Sequence, residues 1–193
     1  RPLWAGYQEP LVTGDETEEQ VKARLDAILA ESEIILSNPM VPGDIVGRAP
    51  RLKWLQLTSA GVDRLLDAPI VHSSGAMVTT ASGIHAVPIS EYVIGAMLAF
   101  GKGFPRALRS QAEGRWNPYL PEELEGKTVG ILGIGAIGSR VADIAHALGM
   151  RVLAVRRSVS ARQKGDGRVA EFLPPSELPA LEHTATFSSA SAT

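Results

Sequence analysis

Residues 127 to 155 constrain this chain more than any other stretch, because they spell one complete β-α-β unit. Lys127-Thr128-Val129-Gly130-Ile131-Leu132 reads as an apolar strand, and a glycine-rich turn follows it. Ile137, Val141, Ile144, Ala145 and Leu148 then recur on one helical face. Gly149 stands where a helix of that length ends, and Arg151 to Val155 is the next strand. Strands joined through a helix run parallel in one sheet, which predicts an α/β, doubly wound architecture.

The turn is Gly133-Ile134-Gly135-Ala136-Ile137-Gly138, a G-x-G-x-x-G between a strand and a helix. That context gives each glycine a task. Gly133 permits the tight bend, Gly135 lets backbone approach a pyrophosphate, and Gly138 lets helix and strand pack closely. The amides of Ala136 and Ile137 begin the helix and bring its positive dipole end to the phosphates. The bland alternative is a tight βα turn of a flavodoxin-like sheet that holds no ligand.

The end of the second strand separates the two nicotinamide dinucleotides. NAD sites usually place Asp or Glu there, accepting a hydrogen bond from the ribose 2′-hydroxyl. Here the chain has Arg156-Arg157-Ser158. Guanidinium groups suit a 2′-phosphate, so the expected cofactor is NADP, with NAD possible. The competing reading is a solvated basic strand end with adenosine stacked on one arginine.

The rest of the chain fits the same class. Thr17-Glu18-Glu19-Gln20 has capping-box form, and Val21, Leu25, Ile28 and Leu29 follow on one helical face. Ile34-Ile35-Leu36 reads as a strand ended by Asn38-Pro39, Asp44 to Arg48 as helical, and Trp54 to Leu57 and Ala76 to Thr80 as strands. A helix is expected from near Pro88, broken at Gly101-Lys102-Gly103-Phe104-Pro105, with another from Pro105 to about Glu113. The domain boundary is set at this break, giving residues 1–100 and 101–193. Trp116 to Pro121 reads as an exposed connector.

Composition narrows the function classes. Lys plus Arg is 19 and Asp plus Glu is 21, a net charge of -2, which is no design for coating nucleic acid or an anionic membrane. The absence of cysteine excludes disulfides, thiolate metal sites and a cysteine nucleophile. His72, His85, His146 and His183 are too scattered for a zinc signature. The longest uncharged apolar run, Tyr92 to Gly101, is about half a membrane helix. A soluble, cytoplasmic protein is expected. No secretory signal opens the chain, and residue 1 is Arg rather than Met, so its beginning is expected to be missing.

Beyond the glycine turn, the segment from Leu124-x-Gly126 to Ile137-Gly138, with Gly114-Arg115-Trp116 before it, resembles the D-isomer-specific 2-hydroxyacid dehydrogenase family. Leu57-Thr58-Ser59-Ala60-Gly61-Val62-Asp63 resembles that family's substrate loop, and Pro88-Ile89-Ser90-Glu91-Tyr92-Val93 its interdomain helix. The strand-end arginines resemble the glyoxylate/hydroxypyruvate reductase branch. The resemblance covers about residues 17 to 182.

It implies a flavodoxin-like substrate domain followed by a Rossmann dinucleotide domain. A nicotinamide cofactor and a small 2-keto or 2-hydroxy acid would meet in the cleft between them. It also implies a homodimer for the full-length parent. The family's substrate-binding amides match Ala60 and Gly61, although Ser59-Ala60-Gly61 also reads as an ordinary turn. His85 does not match the family's proton-transfer histidine. That histidine, with its arginine and glutamate, belongs beyond residue 193, so no catalytic residue is assigned.

Too few residues follow Gly138 for the remaining β-α units, and the tail from His183 to Thr193 has little strand character. The expectation is a C-terminally truncated product, with a reading-frame error near residue 183. It would leave Thr128 to Leu132 as an apolar sheet edge, fold poorly and turn over no substrate. The alternatives are a nucleotide-sensing, corepressor-like binding protein on the same fold, or an inactive fragment.

Overall fold

In the computed structural model, residues 17–38, 40–72 and 74–190 are described. Arg1, the strand-ending Pro39 and the tail residues Ser191-Ala192-Thr193 lie outside them. The chain divides into two compact units, Arg1–Ser82 and Gly83–Thr193.

The first unit opens on helix α1 (Glu18–Glu31), whose Thr17 and Gln20 form the expected reciprocal capping box. Strands β1 (Ile34–Ser37), β2 (Trp54–Leu57) and β3 (Met77–Thr79) make a parallel sheet in the order β1-β2-β3. Short helices α2 (Ile45–Arg48) and α3 (Pro69–His72) fill the crossovers. Leu29, Ile45, Leu55, Leu57 and Ile70 bury together on one sheet face. The expected α1 face is only partly used, since Leu29 is buried and Ile28 is 56% exposed.

The second unit begins with α4 (Ala86–Gly101) and α5 (Phe104–Ala112). The compact units divide at Ser82, whereas the sequence reading set the domain boundary near residue 101; α4 packs on the helix after the glycine turn, and Ile94 and Met97 join that core. Gly103, at φ +68°, turns the chain into α5. The connector beyond it is exposed, as expected, at Trp116 and Leu120. Tyr119 pins it, donating its hydroxyl to the Lys102 carbonyl at 2.7 Å.

The second sheet holds β4 (Thr128–Leu132), β5 (Arg151–Val155), β6 (Gln163–Lys164), β7 (Glu171–Leu173) and β8 (Phe187–Ala190), in the order β6-β7-β5-β4-β8. All pairs are parallel except β6 with β7. Helix α6 (Ala136–Ala147) joins β4 to β5, and Gly149 closes it at φ +74°, where the sequence placed the stop. Val129, Ile131, Val152 and Ala154 face α4 and α6, while Leu153, Val155 and Leu173 pack with Leu181 of α7 (Leu178–Thr184). Helices therefore cover both faces, the doubly wound arrangement expected.

Two corrections concern this sheet. The tail expected to lack strand character supplies β8, in register Val129↔Phe187 through Leu132↔Ala190. Consequently Thr128 to Leu132 is not an edge, since β5 and β8 flank it. Ladder hydrogen bonds come from backbone, so a segment whose one large apolar residue is Phe187 pairs as a strand once it is placed after α7. Among the described residues, no helix is long and apolar enough to cross a membrane.

The β6–β7 connection is tied down by Asp166, which accepts from the Val169 amide at 3.1 Å and from Arg168 Nε at 3.2 Å. The amide bond first, then Arg168, holds this carboxyl below the usual carboxylate range. A depressed folded pKa gives stability that is present above the unfolded value, near 4, and fades as pH falls through the folded one. Asp166→Ala should therefore lower the melting temperature at pH 7, and by progressively less below about pH 4. A deficit that persisted unchanged in acid would assign the effect to something other than the charge.

Candidate functional site

The connection after β4 runs to β5 on one side, while β8 lies on the other. Strand order thus reverses at β4, and the crevice at the carboxyl ends of such strands is where open α/β sheets bind ligands. The glycine turn sits at that end of β4.

Its geometry follows from its residues. Gly133 adopts φ +92°, a left-handed conformation that side chains disfavour, and its amide donates to the Val155 carbonyl at 3.1 Å. Gly135 is extended, with φ −76° and ψ −162°, and caps α6 without a side chain. A Cβ added at Gly138 would stand 2.1 Å from the Gly133 carbonyl oxygen and 3.1 Å from Ile131 Cγ2. Strand end and first helical turn therefore meet backbone to backbone. Ser139 braces the bend, its amide donating to Gly135 O at 2.8 Å and its hydroxyl to Ile134 O at 3.2 Å.

Among the described residues, the amides of Gly135, Ala136 and Ile137 donate to no protein acceptor. Ala136 is exposed, and Gly135 and Ile137 are half-buried, so these donors face an open shelf rather than a filled pocket. Three unengaged amides at a helix start, with the positive dipole end behind them, present the kind of donors to which anions are drawn.

Arg156 directly follows β5, one ladder step from the turn, with its amide donating to the Leu173 carbonyl at 3.0 Å. Its guanidinium carbon lies 5.9 Å from the centre of the Phe172 ring. Arg157 and Ser158 are exposed beside it. The structure thus brings Gly133 to Gly138 and Arg156 to Ser158 together at the ends of neighbouring strands.

Ala60 and Gly61 belong to the first unit, exposed on the loop after β2. Their amides have no acceptor among the described residues, and Ser59 Oγ donates to the Gly61 carbonyl at 2.9 Å. Asp63 stands close, its Oδ2 3.2 Å from where a Gly61 Cβ would lie. His85 precedes α4, exposed and making no side-chain cap bond. His146 is exposed on α6, and the His72 ring meets the Leu66 carbonyl.

A cavity of about 780 Å³ lies elsewhere, along α5 and the connector, lined by Leu108, Trp116 and Tyr119 among others. Backbone anion sites are shallow, so cavity size does not locate this one. Sequence reasoning missed β7 and with it Phe172. The available signal was the short apolar run Val169-Ala170-Glu171-Phe172-Leu173, interrupted only by Glu171.

Residues 94–185 match the family described as D-isomer specific 2-hydroxyacid dehydrogenase, NAD binding domain. The chain is 32% identical over 157 residues to D-3-phosphoglycerate dehydrogenase of Archaeoglobus fulgidus, covering 80% of this chain and 29% of that protein. It is 32% identical over 156 residues to hydroxypyruvate reductase of Thermotoga maritima, covering 79% of this chain and 50% of that one. A solved D-isomer specific 2-hydroxyacid dehydrogenase family protein from Aeromonas salmonicida subsp. salmonicida A449 superposes with a TM-score of 0.76 at 27% identity, over 89% of this chain and 53% of that chain. The chain spans half or less of the length of these two curated relatives.

Proposed function

We propose, from the premise that this chain belongs to the D-isomer-specific 2-hydroxyacid dehydrogenase family through residues 94–185, that its glycine turn binds the diphosphate of a nicotinamide dinucleotide. The observation that carries this is the row of unengaged amides at Gly135, Ala136 and Ile137, above the close contact of Gly138 with Gly133. A reduced nicotinamide bound there would supply a hydride to the carbonyl carbon of a 2-keto acid, and a proton taken up at the carbonyl oxygen would complete the 2-hydroxy form. Arg156, with Arg157 and Ser158 beside it, receives the 2′-phosphate, which makes NADP the preferred cofactor over NAD.

The amides of Ala60 and Gly61 hold the carboxylate of a small 2-keto acid such as glyoxylate or hydroxypyruvate, oriented by hydrogen bonds rather than by a side-chain charge. The hydroxypyruvate reductase of Thermotoga maritima supports that substrate class. On this reading the unit ending at Ser82 is the substrate unit and the unit from Gly83 is the nucleotide unit. The exposed apolar residues Tyr92, Phe100 and Trp116 support a homodimer.

Gly135→Val tests the diphosphate assignment. The extended backbone at Gly135 accepts any residue, so the fold should hold, while the branched side chain would stand where a diphosphate must approach. Fluorescence titration should show NADPH affinity falling by about tenfold or more at an unchanged melting temperature. Equal affinity in the folded variant would remove the assignment.

A further inference from the structure

We propose that Phe172 is a positioning residue for cofactor selectivity, holding the Arg156 guanidinium by its ring face so that its N–H groups remain available to a 2′-phosphate. The inference rests on the dinucleotide reading above and deepens it. The ring centre lies 5.9 Å from the guanidinium carbon, within the range of cation–π attraction. Phe172 is only 9% exposed, packed into the core that holds Val159 and Val169, so the ring is a fixed platform. In the β5–β7 ladder it sits beside Ala154, just before the strand end that carries Arg156.

The nearby arginines are held differently. Arg151 pairs with Glu171, Arg162 with Glu171 and Glu177, and Arg168 with Asp143 and Asp166. Each has its charge offset and part of its donor fork occupied. Arg156 forms no ion pair among the described residues. A carboxylate anchor would fix Arg156 but would also neutralise it and occupy its in-plane donors. An aromatic face fixes the cation from above and leaves both the charge and the planar fork for a phosphate.

The test is a titration of the 193-residue chain with NADPH and with NADH, followed by fluorescence. Phe172→Leu should raise the NADPH Kd roughly fivefold while the NADH Kd stays within about twofold. Phe172→Tyr, which keeps the ring face, should retain NADPH affinity. In an Arg156→Gln background Phe172→Leu should add nothing further. Should Leu unfold the unit, trifluorophenylalanine at position 172 keeps the shape and drains the ring face, and it should weaken NADPH alone. Equal loss for both cofactors, or no loss for either, would overturn the role of Phe172. If Arg156→Gln still weakened NADPH selectively in that case, the 2′-phosphate reading would stand without it. An NADPH/NADH ratio indifferent to Arg156→Gln would bring down both.

Discussion

Gly138→Ala should lower the stability of the second unit by about 3 kcal/mol, with dinucleotide binding lost together with the turn. The added Cβ would lie 2.1 Å from the Gly133 carbonyl oxygen, a backbone atom that no rotamer change can move aside. Relief requires α6 to shift away from the end of β4, which separates the amides of Ala136 and Ile137 from the bend that aims them. For a unit of this size the melting temperature should drop on the order of 10 °C. A melting temperature within a few degrees of the parent, with NADPH affinity intact, would show that strand and helix do not depend on this contact.

Arg156→Asp should reverse cofactor preference by about two orders of magnitude. Charge-assisted hydrogen bonds to a phosphate are worth roughly 1.5–3 kcal/mol, and a carboxylate in the same place would repel the 2′-phosphate. The new aspartate would also accept from the ribose 2′-hydroxyl, adding about 1 kcal/mol for NAD. The two terms act in the same direction, and each 1.4 kcal/mol is a factor of ten. Paired Kd measurements with NADPH and NADH give the ratio directly. A fixed ratio would favour the other reading of this strand end, an arginine that only stacks on adenosine.

These two residues differ in how far the sequence disclosed them. Gly138 was legible because its task is local: it lies five residues after Gly133, and a strand-turn-helix brings such positions into contact wherever it forms. The capping box at Thr17 and Gln20 and the helix stop at Gly149 were legible for the same reason. Arg156 was visible as a residue type at a strand end. Its support was not, because Phe172 arrives through a strand whose short apolar run, broken by Glu171, gave a weak signal. Ala60 and Gly61 were singled out by resemblance alone, since an exposed small-residue turn is common and its open amides show only in three dimensions.

By itself the sequence determined that residues 127 to 155 form a β-α-β unit with a tight glycine turn at the helix start, because hydrophobic period, glycine placement and helix ends act within a few residues. Tertiary structure alone decided that β4 is an inner strand, that a Ser/Ala run completes its other side, that α4 belongs with the second unit, and that Arg156 rests on an aromatic face. Those outcomes depend on pairings between distant segments. Backbone hydrogen bonds form such ladders wherever the chain is delivered, and the side-chain pattern of one segment carries little record of its partner.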